Sequence, residues 1–229
     1  DLQLAVLQTY LKHNRKPKLI IHNLDSFSFI TSKEIYDPAQ YAPYTNEPTI
    51  YAAIQKVYPD AWKWRYIPLY GYVVHDLRFT WITGVRALFG KYPVEDHLQG
   101  FTPRYTNWTE DFEKFKKSNP NGVAFAIERK GIADLTAIAQ ICQNENIRLI
   151  FVYSPVFSEM QKMEKNRREL FKLFSEIATD YGAAFWNCSD SEVSESRENF
   201  YNSQHLNYRG AERFSRQLAQ KLITDMALP

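Results

Sequence analysis

The sequence predicts an α/β protein: a three-layer α/β/α sandwich around a central, mostly parallel sheet, with a long aromatic-rich insertion. Three observations predict it. From Asn119 onward, short apolar runs alternate with amphipathic stretches in a βαβαβα order, which favours parallel strands joined by helices that cover both faces of the sheet. The runs "KLIIHNL" and "IRLIFVYSP" are almost continuously apolar, as strands covered on both faces are. Over 32–118 the periodicity becomes irregular and aromatic residues accumulate, which marks an excursion covering one side of a scaffold; long loops on scaffolds often carry function.

Taken in order, Leu2, Leu4, Val6, Leu7, Tyr10 and Leu11 recur at helical spacing and predict a helix over 2–12. "HNRKP" ends it, with Pro17 as the stop signal. "KLIIHNL" follows as a short strand. "YDPAQYAPYTNEP" is turn-rich, helical pieces are expected over 50–57, 61–70 and 77–89, and "GKYPVEDHLQGFTPRYTNW" reads as another loop. In the regular half, "GVAFAI" is a candidate strand. Ile132, Leu135, Ile138, Ala139 and Cys142 form the stripe of a helix over 131–144. "IRLIFVYSP" is a strand stopped by Pro155. The span 158–181 reads as one long helix with Leu170, Leu173, Phe174 and Ile177 inward, "AAFWNCS" as a short strand, and 208–226 as the last helix. In parallel sheets of this kind active sites lie beyond the carboxyl ends of the strands. The segments of interest are therefore "DSFSF", "SPVFSEM", "NCSD" and the loop holding His205.

A chain of 229 residues can bury a sizeable core, and its length suits one α/β domain or two small ones; a single domain over 1–229 is the expectation. A net charge of +2 gives no strong field toward nucleic acid or anionic lipid, so no nucleic-acid partner is expected. The densest basic stretch, "KMEKNRRELFKLF", is interleaved with acids at helical spacing and reads as a solvated helix face. No run of about 18 apolar residues suggests a membrane span, and no signal peptide is visible. The chain opens inside a helical pattern without an initiator Met, as a fragment or a processed form would. Cys142 sits on a predicted helix and Cys188 follows a predicted strand; two cysteines neither demand nor exclude an oxidising compartment. The histidines are His13, His22, His75, His97 and His205. His75–Asp76 and Asp96–His97 are adjacent pairs, but no H-x-x-x-H or C-x-x-C occurs, so no metal site is expected. There is no G-x-G-x-x-G or P-loop, and no cofactor is expected.

The chemistry concentrates in "FYNSQHLNYRGAERFSRQLAQKL". A base that activates a hydroxyl needs its other ring nitrogen held by an acceptor that fixes the tautomer. Asn202 lies three residues before His205, close enough to accept from Nδ1–H. The usual acceptor is an Asp, which also stabilises the imidazolium. An Asn offers its amide oxygen without that charge, as in cysteine proteases of the papain type. A lone histidine ahead of a helix is ordinarily a capping or packing residue; here the neighbouring residues favour a catalytic role.

The block resembles the last block of the SGNH/GDSL hydrolase superfamily, D-x-x-H-L-N-x-x-G followed by a C-terminal helix. His205, Leu206, Asn207 and Gly210 match, and Asn202 stands where the family's Asp stands. The regular half, 119–229, fits that SGNH/flavodoxin-like fold. The whole chain is also similar to a bacterial SGNH-like subgroup often found near membrane-bound O-acyltransferases; "KLIIHNLDSFSF", "VYSPVFSEMQ" and "FYNSQHLN" carry that similarity. In that subgroup an Asn before the His is common.

The resemblance implies a nucleophilic Ser in a G-D-S or G-S-S block, which this chain lacks. Two accounts stand open. In the first, the nucleophile strand lies upstream of Asp1, and "DLQLAVLQTYLKHNRKPKLIIHNLD" leads to the family's third block, which supplies an oxyanion-hole Asn. Asn23 and Asp25 then fall near that place without the expected G-x-N-D, and an acidic Asp25 would not stabilise an oxyanion. In the second, "LDSF" is a degenerate G-D-S with Leu24 for Gly and Ser26 as nucleophile. The first is preferred, because a helix precedes the strand and no second-block Gly or third-block Asn follows. Ser26 otherwise reads as a turn hydroxyl, Asp25 as a cap or loop carboxylate, and Ser154 as part of a strand stop or of the cleft lining.

By resemblance, the function is an esterase or acyl-transfer activity on O-acyl groups, foremost O-acetyl, of a cell-envelope glycan or lipid. His205 would be the base and Asn202 its orienter. The resemblance further implies a periplasmic or cell-envelope location through an upstream signal or anchor, and a membrane O-acyltransferase as partner. The alternative is a catalytically inactive member that binds glycan or protein through the aromatic insertion.

Overall fold

The structure, a computed structural model, describes residues 2–90 and 101–226, without the side chains of 76–80, 83 and 226. The Asp96–His97 pair lies outside the described residues. The elements run α1 (Leu2–His13), β1 (Leu19–Leu24), α2 (Pro48–Val57), α3 (Trp62–Tyr66), α4 (Tyr70–Leu88), α5 (Asp111–Ser118), α6 (Arg129–Asn144), β2 (Arg148–Tyr153), α7 (Ser158–Met163), α8 (Arg167–Asp180), β3 (Ala184–Asn187) and α9 (Tyr208–Met226). Short 3-10 turns occupy Pro38–Tyr44, Glu192–Glu195 and Arg197–Asn199. The protein is mixed α/β, and its described strands form one parallel sheet in the order β1-β2-β3. Leu19 pairs with Arg148 through to Leu24 with Tyr153, and Ile150 with Ala184 through to Tyr153 with Asn187. All three strands therefore end at the same edge, where the loops of interest begin.

Four sequence expectations are corrected. "GVAFAI" forms no strand: Val123 makes an isolated parallel bridge to Glu164, with its carbonyl accepting from Lys165 N and its N–H donating to Met163 O, both 2.8 Å. The amide of Asn166 then takes both backbone groups of Phe125, at 2.9 and 2.8 Å, so a side chain stands where the next ladder partner would be. The span 158–181 is not one helix but two, because Glu164 leaves the helical region with φ −80° and ψ 101° and turns inward. The piece expected over 61–70 stops at Tyr66, before Pro68, and α4 begins at Tyr70 rather than 77. Finally, β1 is not covered on both faces: Ile21 is 42% exposed, and β1 pairs only with β2 among the described residues.

The chain divides into two compact units. One comprises Asp1–Lys18, Phe29–Glu95 and Glu128–Ile147. Its apolar centre gathers Ala5, Ile50, Ala53, Ile54, Ala61 and Trp64, with Tyr51, Tyr58 and Tyr70 packed around them. α2 presents Ile50, Ala53 and Ile54 at the 3–4 spacing that puts them on one side.

The other unit comprises Leu19–Ser28, Asp96–Ile127 and Arg148–Pro229, and holds the sheet. Leu149 to Tyr153 are all buried. Alternation sends Phe151 and Phe185 to one face, where Tyr153 and Phe185 meet Phe171 and Phe174 of α8 at centroid distances of 4.7 to 6.3 Å. Trp186 points to the opposite face, where the Lys221 ammonium of α9 lies 4.7 Å from its ring. Burying several aromatic rings of this size supplies a large share of a unit's stabilisation.

Gly122 has φ +73°, and a Cβ there would lie 2.5 Å from the Met163 carbonyl oxygen. Replacement is strained by conformation and by contact alike. Gly122→Ala is expected to destabilise this unit by about 2 kcal/mol or more, read as a lower urea midpoint at unchanged slope.

Candidate active site

The site is built where β1, β2 and the 200–206 loop approach the carboxyl edge of the sheet. After β1 the chain turns at once. Asp25 Oδ1 accepts from Phe27 N (2.8 Å) and Ser28 Oγ (3.1 Å), while Ser28 Oγ accepts from Asp25 N (2.8 Å). This reciprocal Asx turn holds Asp25 in solvent and drives Ser26 inward. At the tip of β2, Ser154 Oγ donates to Asn23 Oδ1. That bond fixes the Asn23 amide and leaves its Nδ2 with no partner among the described residues.

The His205 loop is fastened at both ends. Phe200 and Leu206 form an antiparallel bridge, and Tyr201 N donates to His205 O at 3.1 Å. Asn207 caps α9: its Oδ1 accepts from Arg209 N (3.0 Å) and Gly210 N (3.1 Å), and its Nδ2 donates to Glu198 O (2.7 Å) and Phe200 O (3.2 Å). Gly210 passes so close to the preceding turn that a Cβ would sit 2.0 Å from Asn199 O. Two residues of the H-L-N-x-x-G pattern thus have structural work: one starts the helix and the other lets it approach the loop.

Within the loop, Asn202 Oδ1 accepts from Gln204 N (3.0 Å) and His205 N (2.9 Å), and lies 2.9 Å from His205 Nδ1. An amide oxygen can only accept, so the proton sits on Nδ1 and Nε2 carries the lone pair. The Tyr201 ring stacks on the imidazole with centroids 5.4 Å apart and planes 15° apart. The histidine is exposed, yet crowding by its neighbours lowers its pKa; the Asp25 carboxylate opposes that shift. The shift favours the neutral ring, with its Nε2 lone pair free. Phe157 N donates to Ser203 O at 3.0 Å, tying the loop after β2 to this one. Thr109 N donates to Tyr201 O and Tyr208 N to Arg104 O, so residues 104–109 flank the loop, with Tyr105 and Tyr208 rings 4.9 Å apart.

Of the residues expected at the site, His205 and Asn202 are in direct contact, Asn23 and Ser154 are joined to each other, and Asp25 acts on His205 through its charge. Ser26 is placed differently. It is 3% exposed, its Oγ donates to Glu164 Oε1 at 2.8 Å, and the Tyr153 hydroxyl lies 2.6 Å away. Nucleophilic attack needs an accessible oxygen beside a base; this oxygen is buried and gives its proton to a carboxylate. Sequence reasoning missed this network entirely. Burial raises the pKa of Glu164 and pushes Tyr153 up to about 12. Arg167 closes the network, with Nη1 3.5 Å from Glu164, Nη2 on Gln161 (3.0 Å) and Ser189, and its guanidinium 4.3 Å over Phe171. A cleft of about 470 Å³ opens beside Glu164, Arg167, Phe171 and Asn187; none of its lining residues belongs to the His205 loop.

Among the described residues no group of three His, Cys, Asp or Glu side chains is placed to hold a metal ion. Cys142 and Cys188 are both free thiols. His13 pairs with Glu47 at 2.7 Å, His22 packs edge-on against Phe151, and His75 packs against Tyr58 and Trp64.

No family model matches this chain, and no curated protein or solved structure matches it either. What the site can do must be read from its own geometry. It presents an oriented neutral imidazole, an amide donor at the tip of β1, and aromatic residues beside the loop.

Burial holds the Glu164 carboxyl above its ordinary pKa, so its folded form favours the proton. The stability it contributes is full below the unfolded value of 4.5 and is lost as pH rises through the folded value. Glu164→Gln keeps the shape and removes the titration. The stability difference between variant and wild type is expected to move in favour of the variant from pH 4 to pH 7, measured by urea unfolding at both.

Proposed function

We propose that the His205 loop is the base end of an ester-hydrolysing or acyl-transfer site of the SGNH/GDSL kind, on a three-layer α/β/α scaffold with 32–118 as its insertion. Its substrate would be an O-acyl group, foremost O-acetyl, on a cell-envelope glycan or lipid. The observation that carries this reading is the bond between Asn202 Oδ1 and His205 Nδ1. It fixes the tautomer that a general base requires.

In this reading His205 Nε2 takes the proton of a serine hydroxyl as its oxygen attacks the acyl carbon. The same proton then passes to the departing alcohol oxygen as the carbon–oxygen bond breaks. The Asn23 Nδ2 donors, set by Ser154, would meet the oxygen that becomes negative. The burial of Ser26 favours a nucleophile contributed by sequence upstream of Asp1. Among the described residues no strand pairs with the outer edge of β1, which supports the same account. A parallel strand laid along it would end beside Asp25, whose charge already reaches His205. A membrane O-acyltransferase partner and an extracytoplasmic location follow from the same resemblance.

A second reading has its own support. No serine hydroxyl contacts the His205 ring among the described residues, and Tyr105 stands exposed beside the loop. Both suit a non-catalytic glycan- or protein-binding member.

The test is hydrolysis of p-nitrophenyl acetate by the full-length protein. His205→Ala is expected to lower turnover by on the order of 10³-fold, and unchanged turnover would exclude the mechanism. Because the imidazole pKa lies below 6.5, activity should persist below pH 6.5 and fail only as the ring protonates. Asn202→Asp places a carboxylate against Nδ1 and should move that acid limb to higher pH. Absence of labelling by a fluorophosphonate, with glycan binding that survives His205→Ala, would favour the second reading.

A further inference from the structure

The first unit carries an apolar surface that its own centre does not use. On α4, Val74, Trp81 and Leu88 recur at seven-residue spacing, which puts them on one side of the helix. Trp81 is 70% exposed, Leu88 85% and the adjacent Phe89 78%. Trp62, Tyr66, Ile67 and Leu69, on and just after α3, are exposed as well. Single exposed apolar side chains are ordinary, but so dense a run marks an interaction surface.

The charges in this stretch have one dominant sign. Over 60–90 the basic residues are Lys63, Arg65, Arg78 and Arg86, against the acids Asp60 and Asp76; Lys63 pairs with Asp60 at 3.1 Å. Two cations stand against aromatic rings. The Lys63 ammonium is 5.9 Å from the Trp62 ring and 5.6 Å from Tyr70, and the Arg65 guanidinium is 5.7 Å from Tyr66. Apolar and aromatic bodies with cations at their rim are what a helix lying in a membrane interface presents. The buried centre of a protein–protein interface is instead depleted of lysine, although arginine is enriched there. No helix among the described residues is long and apolar enough to cross a membrane.

We propose that the α3–α4 surface rests on an anionic lipid bilayer. Trp81, Leu88 and Phe89 enter the acyl boundary, and Lys63, Arg65 and Arg86 meet headgroup phosphates. This assignment is independent of any role of His205.

The test is flotation of the 229-residue chain with vesicles of phosphatidylcholine alone and with about a third phosphatidylglycerol. Wild type is expected to float with the anionic vesicles, with blue-shifted tryptophan emission and weaker binding at high salt. The triple variant Trp81→Glu, Leu88→Glu, Phe89→Glu should stay at the bottom of the gradient with an unchanged circular-dichroism spectrum. Reversing Lys63, Arg65 and Arg86 to Glu leaves the apolar face intact and tests the charges separately; removing each cation should weaken binding about fivefold. Wild type that floats with neither vesicle, or variants that float as wild type does, would overturn the proposal. So would a concentration-dependent dimer, seen by sedimentation and dissolved by the triple variant, in a chain that ignores lipid.

Discussion

The amide oxygen of Asn202 is the point on which the candidate site turns. It gathers three donors within about 3 Å, two from the backbone and one from an imidazole. The backbone bonds close the loop into a tight turn, and the third makes that turn aim a side chain. Remove the oxygen and both effects weaken together, leaving the Tyr201–His205 backbone bond and the Phe200–Leu206 bridge to hold the loop. A carboxylate would hold the same three donors, so the geometry is indifferent to charge. The substitution of amide for acid changes only the electrostatic support of the protonated ring.

The neighbouring buried carboxylate shows the opposite economy. Glu164 sits where the helix after β2 breaks, and the break is what turns it inward toward Ser26, Tyr153 and Arg167. Burying an acid is unfavourable unless hydrogen bonds and a counter-charge compensate. Here the Ser26 hydroxyl and the Arg167 guanidinium compensate in part, and burial still raises the carboxyl's pKa. The β1 tip, the end of β2 and the start of α8 are thereby held in one polar cluster. That cluster buries Ser26, a serine at the end of a strand that is attractive as a nucleophile on paper, and bonds its hydroxyl to a carboxylate.

Much of this was legible in the sequence wherever periodicity or a stop residue spoke clearly. The apolar runs gave β1, β2 and β3, Pro155 ended the second of them, and the stripe from Ile132 to Cys142 gave α6. The His205–Asn202 contact was legible from three-residue spacing alone. What stayed hidden depended on side chains reaching across the chain. The Asn166 amide that occupies Phe125 lies 41 residues from it, and Glu164 lies 138 residues from Ser26; no local pattern records either. The split of 158–181 was hidden for the same reason, since a helical hydrophobic stripe continues on both sides of the break.

One further consequence belongs to β1. Among the described residues no strand lies along its outer rim, and Ile21 stands exposed beside it. An unpaired strand edge invites a strand from a neighbouring molecule. Where no further strand of the protein lies along it, this rim is where a filament or a swapped pair would begin at high protein concentration. A lysine in place of Ile21 would disfavour such growth without touching the imidazole or its turn.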